Sequence, residues 1–366
     1  MLLVIIQIVA GLTVLVAGGE FLVRGAVRLA ASFKISPLVI GLTVVAFGTS
    51  APELGVSLQA AWSGKPDVAV GNVVGSNIIN VLLVLGASAL VAPLLVSSQL
   101  IRLDVPLMVT ASVVMWLISL DGSISRIEGV LLFVTLVTYI VFCIRKSRSE
   151  NIAVQNEFAE EYGPPPSGKR FLATNFGLII AGLIGLGLGS NWLVGGAVTI
   201  ATWLGVSELV IGLTVVATGT SLPEVVTSVV ASYRGERDIA VGNVVGSNLF
   251  NILCVLGLTA IFSLSGVAVS PAAIQFDMPV MIAVSVICLP IFISGSMIRR
   301  YEGALFLIYY LAYTTFLVFA ATQPESTEWL GRALLWGVIP LTVLTLLGSF
   351  YHSRRERLNA VEDDGA

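Results

Sequence analysis

The sequence predicts an all-α polytopic membrane protein: two inverted-topology five-helix repeats plus one extra C-terminal transmembrane helix. Three observations predict it. Of 366 residues, 56% are hydrophobic and only 11% charged, less than half the ~25% charged share of a soluble protein. Apolar runs of about twenty residues, each long enough to cross a bilayer as a helix, recur from end to end. The chain also repeats itself: positions 41–86 align with 212–257 without a gap, with 29 of 46 residues identical at a shift of 171.

The first repeat, 1–145, holds apolar spans near 2–31, 36–62, 67–92, 103–120 and 125–144. Its opening run lacks the basic n-region of a signal peptide. "FLVRGAV" from Phe21 is answered by "WLVGGAV" from Trp192, so the run reads as a structural span. The segment 146–170 is charged and carries three consecutive prolines, which predicts a solvated linker. The second repeat, 171–322, has spans near 173–203, 207–233, 239–263, 276–294 and 301–321. Weaker echoes connect its later part to the first: "RLDVPLM" from Arg102 with "QFDMPVM" from Gln275, and "SRIEGVLLF" from Ser125 with "RRYEGALFL" from Arg299. The remainder, 323–366, is read as an eleventh span near 330–351 and a tail.

Charge predicts orientation in the cell membrane. With the N-terminus outside and eleven crossings, sixteen Lys and Arg fall on inner loops and span ends, and only Lys65, Arg126 and Arg332 fall outside. That bias satisfies the positive-inside rule and places the C-terminus in the cytoplasm. Five is odd, so the second repeat enters from the opposite side. Inverted repeats are a transporter architecture, with binding near the midplane where the repeats meet.

Other features are less informative. The net charge of −3 names no partner, and no basic patch with interleaved aromatics suggests nucleic acid. Cys143, Cys254 and Cys288 lie in apolar spans and read as small core residues, not a disulfide framework. The only histidine, His352, follows the last span beside Arg354 and Arg355, as an interfacial residue would. An intramembrane hydrolase using Ser50 would therefore lack a base, and the chain is read as no enzyme.

Two motifs carry the chemistry. "GTSAPE", ending at Glu53, recurs as "GTSLPE", ending at Glu224. Proline has no N–H, so Pro52 and Pro223 leave the carbonyls of Gly48 and Gly219 without their helical donor. At bilayer depth such carbonyls need another partner: a bound cation, or Ser and Thr hydroxyls or water healing a kink. A carboxylate at that depth is costly and marks an ion or proton path. Glu53 and Glu224 would each sit in the first turn after a break, where a helix N-terminus favours an anion. Thr49, Ser50, Thr220 and Ser221 add oxygens beside them.

The second motif is "GNVVGSNIIN", Gly71 to Asn80, repeated as "GNVVGSNLFN", Gly242 to Asn251. Asn72, Ser76 and Asn80 recur every four residues and share a helical face, as do Asn243, Ser247 and Asn251. The glycines at 71 and 75, and at 242 and 246, are spaced for close helix packing. Ser76, Asn80, Ser247 and Asn251 are therefore expected near the broken spans. Asn72, Asn77, Asn243 and Asn248 fit packing and function equally well.

Together these residues offer hard oxygens and no soft donor, which disfavours Zn²⁺ or Cu⁺. Two carboxylates with carbonyls, hydroxyls and amides suit Ca²⁺, which takes six to eight oxygens. Their charge of −2 balances one Ca²⁺ or two Na⁺. A cluster that both ions want, but not at once, can couple their exchange. A related antiporter moving H⁺, K⁺ or Mg²⁺ stays open, and a channel would not need an inverted pair.

"GLTVVAFGTSAPE" with "GNVVGSNIIN", and "GLTVVATGTSLPE" with "GNVVGSNLFN", resemble the paired α-repeats of the Ca²⁺/cation antiporter superfamily, above all its prokaryotic sodium/calcium exchangers. The resemblance implies Na⁺-driven Ca²⁺ antiport without a cofactor, through central sites between the second, third, seventh and eighth spans. It implies carboxylate ligands at Glu53 and Glu224 and backbone or side-chain oxygens from Thr49, Ser50, Thr220 and Ser221. Backbone carbonyls of Ala46 and Ala217, with Ser76, Asn80, Ser247 and Asn251, would complete the set. The first and sixth spans would form a sliding gate. Some relatives carry Asp where Asn251 stands; Asn there resembles the potassium-independent branch. The eleventh span is extra to the ten-span family core.

Overall fold

The computed structural model describes residues 2–33, 35–149, 168–263, 266–293 and 296–322. The eleventh span, His352, the tail and most of the linker lie outside these residues. Among the described residues, eight helices are long and apolar enough to cross a membrane, and two bent helix pairs raise the number to ten.

The helices are α1 (Leu2–Phe33), α2 (Pro37–Thr49), α3 (Ala51–Trp62), α4 (Pro66–Val91), α5 (Leu100–Ile118) and α6 (Arg126–Ser149). They continue as α7 (Lys169–Trp203), α8 (Thr214–Thr220), α9 (Leu222–Tyr233), α10 (Arg237–Phe262), α11 (Ala273–Ile293) and α12 (Arg300–Thr322). Helix α6 outlasts its apolar run, because Lys146 and Arg148 in its last turn complement the C-terminal dipole. Helix α7 likewise starts early, at Lys169, so both ends of the linker expected at 146–170 are helical.

The two bends follow from the prolines. Pro52 and Pro223 stand in the first turns of α3 and α9, where the missing N–H costs nothing to the new helix but ends the old one. Ser50 (φ −82°, ψ 5°) and Ser221 (φ −89°, ψ 4°) take the non-helical joint. Helices α2 and α3 meet at 43°, and α8 and α9 at 58°.

Helices α4 and α10 are the centre: 72% and 89% of their spanning windows are buried, against 17–39% for the other unbroken spans. Each contains a widened π-helical turn, Asn80–Leu85 and Asn251–Leu256, beginning on a motif asparagine. Further π-helical turns occupy Gly41–Val45 and Gly212–Val216, just ahead of the breaks. Such turns pull the ladder open and recur at functional sites.

At the periphery α1 and α7 lie side by side and run antiparallel. Gly11 faces Gly189 and Leu193, Gly18 faces Gly182 and Leu186, and Gly25 faces Asn175 and Ile179. A Cβ added at Gly18 would stand 2.7 Å from the Leu186 nitrogen, and one at Gly182 2.6 Å from the Leu22 nitrogen. Only small residues permit this approach.

Two short strand pairs tie loops of the first half to loops of the second. β1 (Leu94–Leu95) pairs antiparallel with β4 (Met297–Ile298), and β2 (Ser123–Ile124) with β3 (Val267–Ala268). The first pair lies at the end of the molecule where α1, α6 and α9 finish and Arg234, Arg237, Arg299 and Arg300 stand; we call it the arginine-rich face. The second pair lies at the opposite face. Cys143, Cys254 and Cys288 are buried free thiols.

Candidate ion-binding site

The breaks bring both glutamates to the centre. Glu53 and Glu224 are the third residues of α3 and α9, and both are wholly buried. Each therefore sits at a helix N-terminus, whose unsatisfied N–H groups favour an anion.

The neighbours cross between halves. Ser50 Oγ donates to Glu224 Oε1 at 3.3 Å, across 174 positions of sequence. Ser76 Oγ donates to Glu53 Oε1 at 3.5 Å and lies 3.4 Å from Ser221 Oγ. Thr49 Oγ1 lies 3.1 Å from Asn243 Oδ1, 3.3 Å from Ser247 Oγ and 3.3 Å from the Ala46 carbonyl. Thr220, only half-buried, donates to the Ala217 carbonyl at 3.4 Å.

Asn80 and Asn251 are oriented by asparagines that the sequence left unassigned. Asn80 Nδ2 donates to Asn248 Oδ1 at 3.1 Å, and Asn251 Nδ2 to Asn77 Oδ1 at 3.0 Å. Asn77 and Asn248 in turn donate to the sulfurs of Met281 and Met108, at 3.6 and 3.4 Å. A methionine sulfur is a weak acceptor, yet it fixes which way each amide points.

This network leaves a distinctive remainder. Among the described residues, Glu53 Oε2, Glu224 Oε2, Asn80 Oδ1 and Asn251 Oδ1 are buried and have no hydrogen-bond partner. They form two pairs at equivalent positions of the two motifs. A buried acceptor left unpaired costs about 1–3 kcal/mol, more when charged, and these four oxygens make a candidate cation socket.

The freed carbonyls expected at the breaks divide. The Gly219 carbonyl accepts from Ser190 Oγ of α7 at 2.7 Å, so a hydroxyl heals that kink and no ion is needed there. The position equivalent to Ser190 is Gly19, which has no hydroxyl. Sequence reasoning missed Ser190, whose partner is distant in the chain. It also missed Ser57 and Ser228, which accept from Asn72 (3.0 Å) and Asn243 (2.9 Å). The recurrence of that Ser–Asn pair at the repeat shift was its signal.

The two motifs are nearly identical, but their surroundings are not. Helix α2 packs tightly on α10: a Cβ at Gly246 would stand 2.8 Å from Ala46 Cβ and Leu42 Cα, and one at Gly242 2.9 Å from the Leu38 carbonyl. Between α8 and α4 the equivalent glycines 212, 71 and 75 have no described atom within 4 Å of such a Cβ. Ala46 is buried whereas Ala217 is exposed. Thr49 reaches Asn243, but Asn72 donates only within its own half, to Ser57 and the Glu53 carbonyl. With Ala46 and Gly242 buried but Ala217 and Gly71 exposed, the candidate socket is closed on the arginine-rich side and open between α4 and α8 on the other.

A family model described as sodium/calcium exchanger protein matches residues 3–145 and 174–319. The chain is 40% identical over 288 residues to the inner membrane protein YrbG of Escherichia coli, covering 78% of this chain and 88% of that one. It is 32% identical over 344 residues to the sodium/calcium exchanger MaX1 of Methanosarcina acetivorans, covering 84% and 97%. Among solved structures, the sodium-calcium exchanger NCX_Mj soaked without Na⁺ and Ca²⁺ superimposes with a TM-score of 0.72 at 31% identity, covering 85% of this chain and 97% of that one.

Proposed function

The chain belongs to the sodium/calcium exchanger protein family, and from that premise we propose that it exchanges Na⁺ for Ca²⁺ by alternating access to the socket around Glu53 and Glu224. It is a multi-pass membrane transporter and not an enzyme. The observation that carries the reading is the set of four buried, unpartnered oxygens on Glu53, Glu224, Asn80 and Asn251. Two carboxylates and two amide oxygens are hard donors, suited to Ca²⁺ and Na⁺. Ser50, Ser76, Ser221, Ser247, Thr49 and Thr220, with the carbonyls of Ala46 and Ala217, would complete the coordination.

Exchange follows from charge. Two carboxylates at membrane depth repel each other when empty, so the unloaded socket resists passing between the two faces. One Ca²⁺ neutralises the pair, and so do Na⁺ ions, but the same oxygens cannot serve both at once. The sealed α2–α10 contact and the open α8–α4 gap are one half of the cycle; closing α8 on α4 while α2 leaves α10 is the other. Antiparallel α1 and α7, equivalent elements of repeats with opposite topology, would slide as the gate. Under the positive-inside bias the arginine-rich face is cytoplasmic, so the present state faces outward.

Vesicles containing the protein and loaded with Na⁺ test this. They take up radioactive Ca²⁺; Glu53→Gln and Glu224→Gln each abolish uptake, and Glu325→Gln, outside both motifs, does not. Uptake that ignores the Na⁺ gradient and follows a pH gradient would contradict Na⁺ coupling.

A further inference from the structure

Inside α1 stands one acid that the socket does not use. Glu20 accepts from the guanidinium of Arg234 through both of its oxygens, and Arg24 of the same helix pairs with Oε1. Arg234 caps the C-terminus of α9. The bridge therefore ties the peripheral α1–α7 pair to the second half of a broken span, at the arginine-rich face. It is partly shielded: the Glu20 side chain is 24% exposed and that of Arg234 33%. An ionisable residue within a membrane span, paired across two elements, is a functional candidate by default.

The repeat makes the bridge informative. At the repeat shift, Glu20 corresponds to Asn191, Arg24 to Gly195 and Arg234 to Ser63. In the present state α1 packs along α9, with Gly19 against Val226. Exchanging the roles of the two halves would set α7 along α3 and place Asn191 near Ser63, where no ion pair can form. The Ser190–Gly219 hydrogen bond has the same one-sidedness, since its counterpart is Gly19 with Gly48.

We propose that Glu20 and Arg234 form a one-sided latch that holds the arginine-rich face closed and biases the empty transporter toward the state open between α4 and α8. The latch rests on the alternating-access reading above and adds that the two states differ in free energy by a contact only one repeat can make. An ion pair of this exposure shifts the balance about fivefold. Replacing Glu20 also leaves Arg24 and Arg234 as neighbouring cations, which pushes in the same direction.

Sided assays on the full chain in vesicles test it. A ligand's apparent affinity at one face scales with the fraction of protein open to that face. Glu20→Gln and Arg234→Gln should each lower half-saturating Ca²⁺ at the arginine-rich face about fivefold and leave the other face within about twofold. The charge swap E20R/R234E should return both faces toward wild type. The double variant N191E/S63R, which builds the missing latch in the opposite state, should shift the balance the same way as the single variants: half-saturating Ca²⁺ falls about fivefold at the arginine-rich face and rises by no more than about twofold at the open face. Single variants that weaken both faces equally, or alter neither, overturn the latch.

Thiol labelling reads the same balance without transport. Leu38 is buried against Gly242 in the sealed contact. A Leu38→Cys reporter should be modified from the arginine-rich face about fivefold faster in the Glu20→Gln background. Unchanged labelling overturns the latch even if the exchanged ions prove different from Na⁺ and Ca²⁺, whereas faster labelling without Ca²⁺ uptake would leave the latch standing and remove the ion assignment.

Discussion

Asn251 donates its side-chain amide to Asn77 across 3.0 Å, and Asn80 does the same to Asn248 across 3.1 Å. The exchange occupies the NH₂ end of Asn80 and of Asn251 with a donor bond and leaves the oxygen of each without a hydrogen-bond partner, free for the proposed socket. Asn77→Leu removes one acceptor and lets the Asn251 amide rotate. A lost hydrogen bond of about 1–1.5 kcal/mol raises half-saturating Ca²⁺ about tenfold. Measuring Na⁺-dependent uptake against Ca²⁺ concentration checks this; unchanged half-saturation with a lower maximal rate would assign Asn77 to packing alone.

Gly75 and Gly246 are equivalent in sequence but not in setting. Gly246→Ala collides with Ala46 and Leu42 at once, so it destabilises the present state by about 1–3 kcal/mol. Gly75→Ala meets no described atom and leaves this state's thermal stability unchanged. If α8 must close on α4 during each cycle, the added methyl obstructs that step. Gly75→Ala then binds Ca²⁺ normally yet exchanges it at least about tenfold more slowly, for a barrier raised by about 1.4 kcal/mol. Binding and flux measured on the same preparation separate the two.

Much of this was legible in the sequence because membranes make certain residues expensive. Pro52, Glu53, Pro223 and Glu224 stand out in apolar runs, and each did mark a break with an acid in its first turn. The repeat pointed to Ser76 and Ser247, which do reach Glu53 and Thr49 at those breaks. The roles of Asn77 and Asn248 were not legible, since an amide on a buried helix face serves packing and ligand orientation alike until its partners are seen. Nor was the unequal bending, 43° against 58°, because two nearly identical segments carry no record of which one is packed and which is open. Ser190 escaped because a lone serine in a glycine-rich span has no motif, and its function depends on a carbonyl 29 residues away.

The α1–α7 contact gives a prediction about assembly of the gate. Gly18→Leu or Gly182→Val forces side-chain atoms into backbone already within 3 Å of a Cβ. Either variant should lose about 1–3 kcal/mol or more of stability, read as a fall in Tm in detergent. Gly187→Ala, with nothing described within 4 Å, should not.

The central claim is that Na⁺ and Ca²⁺ occupy one socket by turns, and equilibrium binding of radioactive Ca²⁺ to purified protein tests it most directly. Ca²⁺ should bind saturably, Na⁺ should displace it competitively, and Glu53→Gln and Glu224→Gln should each abolish binding while the fold survives. Ca²⁺ that stays bound in saturating Na⁺, or that binds equally well without either glutamate, would contradict the account.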